Sequence, residues 1–139
     1  MTAMDRLKSL LKSLAPHRSQ HAAAGDPVLP AEIIEIQSAW GSAVDAESAL
    51  AYRHTSDPYF TSDGHDVGRD ETVAILYAQR IDLTPTASEL ADSALYADRL
   101  LSDLEAIKRD YRSSEDDPEG YGIGTLHSLS RALAPFRRA

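Results

Sequence analysis

Residues 88–111 carry the pattern that most limits what this chain can fold into. Leu90, Ala94, Ala97, Leu101, Leu104 and Tyr111 fall on one face of a helix, and Leu100 and Ile107 widen that face. A helix with so broad an apolar stripe has to be covered by other elements. Nowhere does an apolar/polar alternation hold for five or more residues, so those covering elements are expected to be helices too. The length, 139 residues, is that of one domain. Such a chain buries roughly two-thirds of its unfolded surface and needs no covalent staple. None is on offer, because the sequence has no cysteine, which also excludes thiolate metal sites, iron–sulfur clusters and cysteine nucleophiles.

Two further helices are predicted. One starts at Pro30, a residue suited to a first turn, with Glu32 and Glu35 near the positive helix end. Ile33, Ile36, Trp40, Ala43, Val44, Leu50 and Ala51 then recur at helical spacing to about Tyr52. Residues 53–69 are rich in Pro, Gly, Ser and Asp and read as a long loop. A shorter helix is expected from Asp70 to Ile81. The long 88–111 helix has two candidate starts. One is Thr84 capping a first-turn Pro85, and the other is a capping box of Thr86 with Glu89. Glu105 and Arg109 have the spacing of a surface ion pair. Trp40 and Tyr96 lie on apolar faces and are expected in the core.

Charge divides the chain differently from hydrophobicity. The total is −8, yet residues 1–21 carry four cations and one acid, and residues 119–139 three arginines and one acid. The acid surplus sits between them. The expected fold is therefore all-α: a small acidic helical bundle of three main helices, with short amphipathic helices at both termini. Its parts would be a basic arm and linker (1–29), an acidic body (30–118) and a second basic arm (119–139). The acidic middle would repel phosphates, so nucleic acid is not an expected partner.

The two arms share a pattern. Sliding residues 6–18 onto 125–137 pairs Leu7 with Leu126, Leu10 with Leu129 and Leu14 with Leu133. Lys12 meets Arg131, Arg18 meets Arg137, and both copies stop at Leu-Ala-Pro; seven of the thirteen positions are identical. Each copy has an apolar stripe, basic flanks and a proline that ends the helix. A helix so short is marginal alone and gains its stability by docking. It can dock on this protein's own body, on a partner protein or, less readily, on an anionic membrane surface. Leu7, Leu10, Leu14, Leu126, Leu129 and Leu133 are the candidate docking residues, with Lys12, Arg18, Arg131 and Arg137 orienting the docked helix.

These arms resemble the encapsulation peptides of bacterial microcompartments, carboxysomes included. Those are short amphipathic helices tethered to a cargo or adaptor body. The C-terminal copy, with Tyr121-Gly122, the three leucines, Pro135 and Arg137, is the more similar. Ala134 departs from that pattern, where a bulky apolar residue precedes the proline. The resemblance implies a recruitment role for the arms and says nothing of the body.

Catalytic motifs are sparse. No phosphate-binding glycine loop, nucleophile elbow or His-Glu-x-x-His is present. The 54–71 stretch gathers His54, Asp57, Asp63 and His65, residue types that suit zinc or a hard cation. Read as a calcium loop it fails at Tyr59, and an Asx-turn at Asp63-Gly64 accounts for the composition as well. The leading expectation is a non-enzymatic cytoplasmic adaptor, without cofactor or metal, that binds partner proteins through the two arms. One alternative is an acidic inhibitor or immunity-type protein whose body covers a basic surface. Another is a metal-dependent enzyme built on the 54–71 loop.

Overall fold

A computed structural model of the chain describes residue 3, residues 28–57 and residues 66–138. Among these the protein is all-α, with five α-helices and no strand. They are α1 (Ala31–Ser56), α2 (Val67–Ala78), α3 (Ala87–Ala91), α4 (Ser93–Ser114) and α5 (Tyr121–Leu133), followed by a 3₁₀ turn (Ala134–Phe136).

The helix ends follow from local chemistry. Asp66 starts α2 by accepting from the Arg69 backbone N–H at 3.0 Å. Thr86 and Glu89 form the reciprocal capping box of α3, at 3.2 and 2.8 Å. Of the two starts open to the sequence, this is the one used. Asp92 ends α3 and caps α4, accepting from the Leu95 N–H at 3.4 Å. The periodic 88–111 stretch is thus two helices joined at one residue, since a carboxylate that serves its neighbours' backbone competes with helix continuation. At the start of α5, Gly120 takes a left-handed backbone (φ 76°), which glycine adopts without steric penalty. Asp117 then reaches forward to accept from the N–H groups of Gly122 (3.2 Å) and Ile123 (2.9 Å).

The described core joins four helices. Ile33, Ile36, Trp40 and Val44 come from α1, and Ala74, Ile75 and Ala78 from α2. Tyr96, Ala97, Leu100, Leu104 and Tyr111 come from α4, and Leu126, Leu129 and Leu133 from α5. Trp40 and Tyr96 are core residues, as their apolar faces suggest. Ala3 also packs against this cluster.

Three further sequence expectations are corrected. The first helix runs on to Ser56 and the second begins at Val67, so the connection between them is shorter than 53–69. Composition hid this, because Asp66 reads as a loop residue but caps a helix. Glu105 pairs with Lys108 at 2.8 Å rather than with Arg109. The largest correction concerns the C-terminal segment, which is no separate arm. α5 contacts α1, α2 and α4, and its stripe closes the core.

Candidate functional site

The seat of α5 is where sequence pattern and structure meet. Leu126, Leu129 and Leu133 each have 0% exposure. Of the destinations open to this stripe, a partner or the protein's own body, they take the second. A buried leucine contributes about 2 kcal/mol from removing its apolar surface from water, which a fold does not leave unused when its own groove fits. The approach is close. A Cβ on Gly122 would overlap the Tyr111 hydroxyl and come within 3.0 Å of the Asp70 carbonyl. Glycine lets α5 lie directly against α4 and the start of α2. Arg131 and Arg137, expected to orient a docked helix, stay exposed on its outer side. Leu7, Leu10, Leu14, Lys12 and Arg18 lie outside the described residues.

A buried polar junction adjoins the N-terminal end of α5. His54 belongs to the last turn of α1, not to a loop, and is 7% exposed. Its Nδ1 lies 2.5 Å from Oε1 of Glu71, which is 2% exposed on α2. The Tyr121 ring stands edge-on to the imidazole at 5.8 Å. Burial pushes the Glu71 carboxyl above the usual range; the His54 hydrogen bond and charge pull it back, and the charges of Glu47 and Asp70 push it further up. Above this junction runs a groove of about 340 Å³, lined by Glu47, Leu50, Glu71, Tyr121, Thr125 and Arg131. The pair joins α1 to α2 through a buried hydrogen bond.

Two of the four residues named for a metal site are described. His54 turns to Glu71, Asp57 is an exposed residue at the end of α1, and Asp63 and His65 lie outside the described residues. Among the described residues no three His, Asp or Glu side chains converge on a point that could hold a metal ion.

A second buried glutamate, Glu89, organises another part of the bundle. Arg99 grips Glu89 with two bonds, Nε to Oε2 at 2.9 Å and Nη2 to Oε1 at 3.1 Å. The same guanidinium donates to the backbone carbonyls of Asp82 and Thr84 and to Asp103 Oδ2 at 3.2 Å. Tyr96 adds a bond from its hydroxyl to the Leu83 carbonyl at 2.5 Å. This network fixes the connection between α2 and α3. Neither Glu71 nor Glu89 stood out in the sequence as a buried residue. The one available signal was the Thr86–Glu89 capping spacing, which marks Glu89 as a helix-start residue but not as buried.

The acid surplus also changes meaning. Asp66, Asp92 and Asp117 cap helices, and Glu71 and Glu89 are buried in pairs. Each of these carboxylates already has a structural partner within the protein.

The class defined by this fold is a small all-α bundle with one self-docked amphipathic helix. No described helix is long and apolar enough to cross a membrane. Comparison with known protein families, with curated proteins and with solved structures finds no match.

Proposed function

We propose that this chain is a non-enzymatic adaptor in which residues 28–138 form the carrier body and residues 6–18 recruit a partner protein. The observation that carries the reading is the seat of α5. There the pattern of leucines with basic flanks and a terminal Leu-Ala-Pro lies in a groove between helices, leucines down and arginines out. The 6–18 segment has the same leucines and cations at the same spacing. The body's own groove is already filled by the C-terminal copy. A helix-in-groove partner suits the remaining copy, anchored by Leu7, Leu10 and Leu14.

The test is affinity capture from the source cells with the full chain, compared with a Leu7→Asp/Leu10→Asp variant. The reading expects one or a few proteins captured by the wild type and lost in the variant, with an unchanged thermal midpoint. Identical capture by both chains would overturn it. The matched change in the other copy, Leu129→Asp, is expected to unfold the body, because it places an unpaired carboxylate in the core, at a cost above about 4 kcal/mol.

A further inference from the structure

The outer side of α5 carries a second groove, of about 330 Å³, on the face toward α4. Leu101 and Ala134 supply its apolar surface, and Arg131, Arg137, Ser130 and Glu105 its polar groups. Three features of these groups need explaining. First, among the described residues neither Arg131 nor Arg137 forms an ion pair, although the chain has 22 acids to 14 bases. Among the described residues Arg131 is steadied by its bond to the Ser128 hydroxyl, at 2.8 Å. Second, Ser130 Oγ is buried and has no hydrogen-bond partner among the described residues. A buried hydroxyl without a partner carries a desolvation cost that a ligand atom can remove. Third, the one acid at the groove, Glu105, is already bound by Lys108 at 2.8 Å.

The chain beyond α5 is held in place. Arg138 is paired with Asp92 and Asp98 at the start of α4, and its backbone N–H donates to Asp98 Oδ1 at 3.1 Å. That anchor fixes the residue next to Arg137, which brings the second guanidinium to the groove Arg131 also lines. His127, one turn from Arg131, registers the local field. Burial lowers its pKa first, and the charges of Lys108, Arg112 and Arg131 lower it further, against an opposing contribution from Glu105.

From these groups we infer that the α4–α5 groove is a binding site for a small organic anion, a carboxylate or phosphate on a short apolar stem. The guanidinium groups of Arg131 and Arg137 would take the anionic oxygens, in the planar geometry that favours arginine for this task. Ser130 would turn its buried hydroxyl into the groove to donate to the anion, and the stem would cover Leu101 and Ala134. The volume is in the range of small-molecule sites, about 300–1,000 Å³. This site is independent of the adaptor reading, because it lies wholly on the body.

Backbone-amide NMR titration of the full chain tests it, with phenyl phosphate, phenylacetate and inorganic phosphate as probes. The expected result is saturable shifts confined to residues 101–105 and 130–137. At least one phenyl-bearing probe should bind more tightly than inorganic phosphate; comparing the two tells phosphate from carboxylate. Arg131→Gln/Arg137→Gln should weaken binding about tenfold or more, and Ser130→Ala about threefold. Arg112→Gln, a cation on α4 outside the groove, should leave the affinity unchanged. Non-saturating shifts with every probe, equal binding by the double variant, or equal weakening by Arg112→Gln would overturn the proposal.

Discussion

Glu71 and Glu89 are buried to nearly the same degree, 2% and 3% exposed, yet the protein treats them in opposite ways. Glu89 meets a guanidinium through two bonds and also accepts from a helix-start backbone N–H, so its carboxyl is held below the usual range, first by the Arg99 bond. Glu71 meets an imidazole through one bond and lies near two other carboxylates, so burial pushes its carboxyl up. Burial alone therefore does not decide which way a glutamate's pKa moves; the number of donors and the charges around it do. The Arg99–Glu89 side is an electrostatic brace. The His54–Glu71 side joins helices mainly by packing around one buried hydrogen bond.

The strongest test of that contrast removes Arg99. Arg99→Ala would leave Glu89 buried without its cation and release the carbonyls of Asp82 and Thr84. The expected loss is about 3 kcal/mol, read from the urea midpoint. A loss below about 1 kcal/mol would mean the brace is ornamental. On the other side the largest effect should come from packing. Gly122→Ala drives a methyl against Tyr111 and the Asp70 carbonyl, and should cost about 2 kcal/mol. If His54→Ala proved far more costly than Gly122→Ala, the division into brace and packed junction would fail.

The smallest effect separates the glutamates by pH. Glu71→Gln should cost about 1 kcal/mol or less near neutrality, because burial already disfavours the ionised carboxyl it removes. Glu89→Gln should cost about 2 kcal/mol at the same pH, since it removes a carboxylate whose charge is stabilised. The signs follow from linkage. Glu89, with a lowered folded-state pKa, contributes stability that is full above the ordinary glutamate value and is lost as pH falls through its own. Glu71, with a raised one, contributes stability that is full below the ordinary value and is lost as pH rises through its own. Stability measured by urea melts from acid to neutral pH should show the wild type's advantage over Glu89→Gln shrinking toward acid. Its advantage over Glu71→Gln should shrink toward neutrality. Parallel curves would remove the distinction.

Much of the fold was legible in the sequence, for reasons specific residues show. Ile33, Ile36, Trp40 and Val44 announce the inner face of α1, and Leu100, Leu104 and Tyr111 that of α4, because helical spacing alone puts them on one side. The Thr86–Glu89 box named the start of α3, since capping is a contact between near neighbours. What was not legible joins residues far apart in the chain. His54 and Glu71 are 17 positions apart, and Arg99 reaches back 17 positions to Asp82. No local pattern marks such partners. The leucines of the C-terminal segment taught the same lesson from the other direction. Their stripe was plain, but its destination was not.

The sequence by itself determined which helix faces are apolar, where a capping box starts a helix, and that Leu126, Leu129 and Leu133 must be covered. These are matters of periodicity and near-neighbour hydrogen bonding. Tertiary structure alone decided what covers them. An amphipathic stripe is compatible with any groove of matching shape, and the groove between α1, α2 and α4 exists only once those helices have packed. The same packing chose His54 for Glu71 and Arg99 for Glu89, and left Arg131 and Arg137 on the outside, because the geometry of four helices brings those side chains to their places.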